Sequence, residues 1–430
     1  MTTTLISPGA ASAAPGAALA APARGAKSEG ARVLRAGFIP LVDASVLIAA
    51  AEFGFAAREG LALDLVRDVS WANVRDRLAF RQFDIAHMLS PMPVASMLGL
   101  GSNPSPTITP FSLGRGGNAI TLSTRLFTRM RDAGAPEGAD ALAHARVLRR
   151  VLDGMRDAGE APPTFGMTYP FSSHNYEFRY WLAAGGIDPD LDVKLVVVPP
   201  PLTSDALAAG AIDGFCVGAP WNMVASERGV GRIVAAKQDI WPSAPEKVIG
   251  MRPDWAESHP ETVSRLLVAL DAAARWCDRG ENHDELAALL AQPNYIAAPV
   301  DIIRRVLAGE FSLDDTGERR LIPDYFTFHG GFANYPRPSH ALWTYSQMLR
   351  WGQAEWSPAL AEKALSAYRP DLYRAALGTG PTDADLRAEG TSFGDRFMDG
   401  FTFDPQAIPD YVAAFPVRYE RVAGSLSDDA

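Results

Sequence analysis

Cysteine is nearly absent. Cys216 and Cys277 are the only two in 430 residues. So sparse a pair excludes a disulfide scaffold and a zinc framework. Cys216 falls in a β-branched run and reads as a small buried hydrophobe; nothing in the sequence supports a Cys216–Cys277 disulfide. Long apolar runs are missing too, since no stretch reaches the roughly 18 residues that span a bilayer. Positive charge is short: 40 Lys and Arg against 50 Asp and Glu leave −10. A general nucleic-acid binder needs a basic face, so direct nucleic-acid binding is excluded. A small anion is not, because a pocket is charged locally whatever the total. Catalytic signatures are equally scarce. The seven histidines (His87, His144, His174, His259, His283, His329 and His340) form no HExxH and no Ser/His/Asp pattern. Gly114–Asn118 is Gly-rich but lacks the Lys-Ser/Thr of a phosphate loop. No Asp/Glu cluster is spaced to offer six or more oxygens to calcium. The chain is expected to be no enzyme, with no catalytic residues, no metal and no cofactor.

What is present is an ordinary globular composition, 47% hydrophobic and 21% charged, with length for two or three domains. Residues 1–31 are rich in Ala, Pro, Gly and Ser and are expected to be disordered. Their first basic residue is Arg24, and Pro8, Gly9, Pro15 and Gly16 break the alanines, so they lack the form of a secretory signal. The acidic end Ser427–Ala430 reads as solvated.

From Val33 the pattern is βαβαβ: strand Val33–Ile39, helix Ala44–Arg58, strand Leu63–Val66, helix Asn73–Phe80, strand Asp84–Ala86, and a helix from Pro93. Ala119–Met130 and Ala141–Ala158 read as helices. A second βαβαβ pattern fills Pro162–Val234. Met167–Tyr169 ends a strand, Ser172 or Ser173 caps the next helix, and Gly185 and Gly186 stop it. Leu195–Val198 suits a buried parallel strand, and Ile212–Val217 is another. Two such units in tandem predict two α/β lobes facing across a cleft. The chain crosses between them near Gly114–Ile120 and Pro242–Gly250. The expected division is a tail at 1–31, lobe I from 32–117 with 250–430, and lobe II from 118–249. Past Pro253 the reading is mostly helical and is assigned to lobe I.

Chemistry is sought where strands meet helices. His174 sits at such a junction, where free N–H groups and the helix dipole favour an anion. Lys247 stands at an inter-lobe crossing and offers a cation; the bland alternative is a solvated surface lysine. Trp71 offers a flat wall or an indole N–H, or is simply a core tryptophan. Gly218 permits close backbone approach. His87 ends the third strand, at the carboxyl edge where such sheets bind ligands, and is a further candidate beside a packing role. His340 reads as structural.

The segments carrying these residues are Val69–Ala72 with Arg75-Asp76, Asp84–Met88 with Pro91-Met92-Pro93, Thr168–Asn222, Pro245–Gly250, and Ser339–Trp343 with Arg350–Gln353. In this order they resemble the nitrate- and bicarbonate-binding proteins of bacterial ABC transporters and their soluble relatives, the nitrate/nitrite sensors. The resemblance spans about residue 33 to the low 400s. It implies an α/β, two-lobed type II periplasmic-binding-protein-like fold with a hinge and an inter-lobe cleft. It implies nitrate or nitrite bound by Trp71, His174, Lys247 and Gly218, with Asn118 in place of the family's glutamine. Exported members carry signals that this N-terminus departs from. The expectation is therefore a cytoplasmic nitrate/nitrite sensor whose partner is an RNA-binding antiterminator, without membrane insertion. The alternatives are a periplasmic substrate-binding component of a nitrate, bicarbonate or sulfonate ABC transporter, and a thiamine-type pyrimidine binder. The last would have an apolar, aromatic pocket into which Lys247 does not face.

Overall fold

The computed structural model describes residues 30–382 and 397–419 apart from positions 104, 137 and 243. The expectations for the tail up to residue 29 and for Ser427–Ala430 lie outside these residues. The strands in chain order begin with β1 (Arg32–Phe38), β2 (Leu61–Arg67), β3 (Ile85–Leu89), β4 (Ile108–Ser112), β5 (Arg115–Gly116), β6 (Asn118–Ser123) and β7 (Thr164–Met167). They continue with β8 (Lys194–Val197), β9 (Gly214–Gly218), β10 (Gly231–Ala236), β11 (Lys247–Met251), β12 (Glu310–Ser312), β13 (Arg319–Leu321) and β14 (Phe326–Thr327).

Two five-stranded sheets result, ordered β2-β1-β3-β11-β4 and β8-β7-β9-β6-β10. The pattern is the same in both. Each has a parallel βαβαβ unit and one antiparallel strand contributed after the chain has crossed from the other sheet: β11 beside β3, and β6 beside β9. That exchange builds the two-lobed α/β fold expected from the tandem pattern. Its carboxyl strand edges face each other across the cleft, where open α/β sheets bind ligands.

Local signals account for most of the elements. Ser172 caps the helix Ser173–Ala184 by accepting from Asn175 N–H, and Gly186 follows it with φ +83°. Ser70 caps Trp71–Ala79 in the same way. The expected helix Ala44–Arg58 is broken at Gly54, φ +71°, into Ser45–Glu52 and Phe55–Arg58. Two further readings needed correction. The first half of Ala119–Met130 is strand β6, and the helix begins only at Thr124. Pairing with β9 and β10 on both sides stabilises that strand, and a local pattern does not report it. Leu195–Val198 forms strand β8 as expected, but at the sheet edge, with Val197 54% exposed. Cys216 and Cys277 are both free and buried, in separate apolar clusters.

The second crossing reaches lobe I earlier than the sequence boundary: Lys247–Met251 already pairs within the first sheet. The tail touches both halves. Helix Pro260–Cys277 packs on Ser45–Glu52, whereas Ala341, Trp343 and Tyr345 share a core with Leu148, Tyr176 and Trp181. Amphipathic periodicity shows that a helix has an apolar face, but not which lobe covers it.

The hinge combines three segments. Arg115 of the first crossing bridges Pro245 of the second, and β14 from the tail pairs with β5. Arg115 donates to the carbonyls of Gly330 (3.0 Å) and Gly331 (2.8 Å). Gly116 has φ +82°, and a Cβ there would lie 2.0 Å from the Tyr325 carbonyl oxygen. Only glycine fits that approach.

Candidate anion-binding site

The hinge brings the separate candidates to one buried centre. Trp71 starts its helix on lobe I, His87 lies on β3, and Lys247 opens β11. From lobe II come Asn118 at the start of β6, His174 at the start of its helix and Gly218 at the end of β9. The Lys247 ammonium sits 5.6 Å from the Trp71 ring centre, and Trp71 packs edge-on against His87 at 5.3 Å. All six residues are thus gathered at one place, and Lys247 is 1% exposed, not a solvated surface lysine.

The electrostatics differ from a bare positive pocket. Lys247 Nζ contacts Asp43 Oδ2 at 2.6 Å and Glu246 Oε1 at 2.5 Å. A second buried lysine, Lys237, contacts Glu177 Oε1 at 2.7 Å, and it also donates to Glu246. Asn118 Nδ2 donates to Glu246 at 2.6 Å and to Glu177 at 2.9 Å. Three carboxylates therefore face two ammonium groups. The cation expected to await an anion is already paired twice, and the Asn118 amide donors expected for the ligand are engaged by carboxylates. Four of the charged groups, Asp43, Glu177, Lys237 and Glu246, escaped the sequence reading. The signals for them were slight: Glu177 follows His174 by three positions on one helix face, Glu246 adjoins Lys247, and Asp43 follows the first strand's carboxyl end.

Burial and pairing set the protonation states. Desolvation pushes the Asp43 carboxyl up, but Lys247 and the His87 hydrogen bond together bring it below its ordinary value. Glu246 is likewise opposed by burial and held well below its usual value by Lys237 and Lys247. Glu177 goes the other way, raised by burial to about 7 against the pull of Lys237. Lys237 is raised because Glu177 and Glu246 outweigh its desolvation. Burial lowers His87, and lowers His174 to about 3, so both rings are neutral at pH 7.

A neutral ring has one N–H to place. His87 Nδ1 lies 3.4 Å from the Ile39 N–H, which donates to it; its Nε2 hydrogen then faces Asp43 Oδ1 at 3.0 Å. His174 Nδ1 lies 2.9 Å from Thr168 Oγ1, and its Nε2 is 3.4 Å from Glu246. The Trp71 indole N–H is buried with no hydrogen-bond partner among the described residues, which leaves it available to a ligand. Gly218 brings backbone against this cluster: a Cβ there would lie 3.1 Å from Asp43 Oδ2 and 3.5 Å from Asn118 Oδ1.

Aromatic residues of the tail seal the centre. A residual cavity of about 10 Å³ is lined by Asp43, Glu246, Lys247, Phe326 and Phe328 together with Leu113–Gly116. Among the described residues, no group of three or more His, Cys, Asp and Glu side chains is arranged for a metal ion; here lysines stand between the carboxylates. His340 lies elsewhere, edge-on to Trp241 at 5.7 Å.

Comparison with known proteins agrees with this architecture. Residues 27–291 match the NMT1-like family. The chain is 32% identical to the nitrate/nitrite binding protein NrtA of Nostoc sp., covering 89% of this chain and 85% of that one. It is 30% identical to the bicarbonate-binding protein CmpA of Synechococcus sp., covering 92% and 89%. Identity is 35% with the nitrate import ATP-binding protein NrtC of Synechocystis sp., where 89% of this chain spans 55% of the relative's length. Its fold matches the crystal structure of the periplasmic nitrate-binding protein NrtA from Synechocystis with a TM-score of 0.80 at 29% identity, covering 90% of this chain and 99% of that one.

Proposed function

Because this chain belongs to the NMT1-like family, among the nitrate- and bicarbonate-binding relatives of ABC transporters, we propose that it captures a small planar oxyanion, nitrate, nitrite or bicarbonate, in the inter-lobe cleft. It would act as the substrate-binding component of an ABC transporter. The observation that carries this is the convergence of Lys247, Trp71, His174 and Gly218 from both lobes on one buried centre. A cation, a flat ring, neutral N–H donors and a side-chain-free backbone suit a flat anion with delocalised charge. Lys247 facing inward argues against a thiamine-type pyrimidine, for which an apolar pocket was the expectation.

The sequence tail favoured a cytoplasmic sensor holding an RNA-binding antiterminator. The relatives are named for transport and import instead, which favours a permease partner and a periplasmic location. No helix among the described residues is long and apolar enough to cross a membrane. Calorimetric titration with nitrate, nitrite, bicarbonate and sulfate tests the ligand. The expected result is saturable binding of one or more of the planar anions and none of tetrahedral sulfate. Heat from none of the three planar anions overturns the reading. Co-purification with a membrane permease, and not with an RNA-binding protein, is the expected partner result.

A further inference from the structure

Of the two carboxylates on Lys247, one is placed as a ligand would be. Asp43 stands on the short turn Val42–Ala44 after β1, in lobe I, yet its carboxylate lies against Gly218 of lobe II. One oxygen takes the Lys247 ammonium at 2.6 Å and the other faces His87 Nε2 at 3.0 Å. Two of the residues assigned to the anion, Lys247 and Gly218, and the further candidate His87 therefore adjoin a group of the protein itself. A carboxylate is flat and spreads one negative charge over its oxygens, as nitrate and bicarbonate do.

Space makes the same point. The cavity beside Lys247 is about 10 Å³, roughly what one water needs. That cavity does not admit an anion of four heavy atoms beside Lys247 unless a protein group moves. Glu246 is the poorer candidate, because it also holds Lys237, Asn118 and the approach of His174. Its departure would strip a second buried lysine. The side-chain ties found for Asp43 among the described residues are Lys247 and His87.

We propose that the Asp43 carboxylate is the built-in occupant of the cleft, and that a diffusible oxyanion binds by displacing it from Lys247. This rests on the anion-binding reading above and adds how the site is kept when no anion is bound. The internal carboxylate neutralises Lys247 within lobe I, and the Val42 N–H beside it reaches across to lobe II, donating to the Ala219 carbonyl at 2.9 Å. Apparent affinity is then reduced by the fraction of molecules in which Asp43 holds the site. Asp43 sets the threshold concentration to which the protein responds.

The test is the sign of a change in affinity. Asp43→Asn keeps size and the acceptor for His87 but removes the competing charge. Full-length protein titrated with nitrate and with bicarbonate should bind at least tenfold more tightly as Asp43→Asn than as wild type. If Asp43 instead positions Lys247 for the ligand, the substitution weakens binding; weakened or unchanged affinity overturns the proposal. Uptake of either anion by Asp43→Asn alone upholds it while refuting the anion reading for the natural chain. Binding by neither protein overturns both. Should Asp43→Asn fail to fold, formate decides. It should raise the melting temperature of Asp43→Gly and leave wild type unmoved, in buffers matched with chloride; equal response of the two proteins overturns the proposal.

Discussion

Trp71 and Lys247 come from the same reading of the sequence, but the structure gives them different tests. Truncating Lys247 would leave Asp43 and Glu246 buried without their shared cation. Removing one partner of a buried ion pair costs about 3–5 kcal/mol, so lost binding in Lys247→Ala would be confounded with lost stability. Trp71→Phe is the cleaner probe. It keeps an aromatic ring and every charge, but removes the indole N–H, which has no partner among the described residues, together with some buried ring volume. A net hydrogen bond to an ionic group contributes about 1.5–3 kcal/mol. Anion affinity should therefore fall roughly tenfold or more, with a lower melting temperature from the smaller buried ring but no stranded charge; an unaltered titration curve would remove Trp71 from the contact set.

Glu177 makes the site sensitive to pH. It faces Lys237, Asn118 and Glu246. Below its raised value of about 7 it holds a proton, and the cluster of Asp43, Glu246, Lys237 and Lys247 balances to neutral. Above it the centre carries one net negative charge, which repels an incoming anion. Affinity for a permanently charged anion such as nitrate should thus fall as pH rises through about 7. Titrations between acid and alkaline sides of that value should show the fall in wild type and a flattened profile in Glu177→Gln. A rise in affinity with pH would contradict the charge count.

Among the elements, the segment from Phe326 to Gly331 was missed altogether in the sequence, which shows no cap, period or motif there to reveal it. Its role is visible only as a third strand laid on the hinge, β14 against β5. Gly116 marks how closely they approach. In Gly116→Ala the new Cβ would meet the Tyr325 carbonyl oxygen at 2.0 Å, from a backbone with φ +82°. The strand must lift or the hinge must turn, at a cost of order 1–3 kcal/mol for the strained backbone alone. Thermal unfolding should shift down by several degrees, with anion affinity altered as well because Phe326 and Phe328 line the centre. Gly134→Ala, where φ is also positive (+83°) but a Cβ meets nothing within 4 Å, is the control for backbone strain without the clash. Equal effects from both would show that β14 does not clamp the hinge.

At the scale of the whole molecule, the lobes here meet tightly, with Trp221 Nε1 donating to the Pro40 carbonyl at 3.2 Å across the cleft. Binding that favours this closed form draws on an equilibrium between open and closed molecules. Small-angle scattering should show a smaller radius of gyration on saturation with the anion that calorimetry identifies. Asp43→Asn without anion should keep the wild-type radius, since the lost bridge to Lys247 lies within lobe I. A larger radius for the variant would mean that closure depends on that bridge.

The tandem βαβαβ pattern, the Ser172 cap and the crossings near Gly114 and Pro242 were legible in the sequence because each depends on neighbours a few residues away. So were Trp71, His87, His174, Gly218 and Lys247 as candidates, since strand ends and crossings in such a fold must face the cleft. Three things depended on the tertiary structure. Asn118–Ser123 became strand because β9 and β10 flank it. The tail divided between lobes because amphipathic faces carry no address. Asp43, Glu177, Lys237 and Glu246 turned a pocket expected to be cationic into a nearly balanced ionic cluster. Charge in a buried site is a sum over groups brought together from distant positions, 204 residues apart for Asp43 and Lys247, and local sequence patterns do not contain that sum.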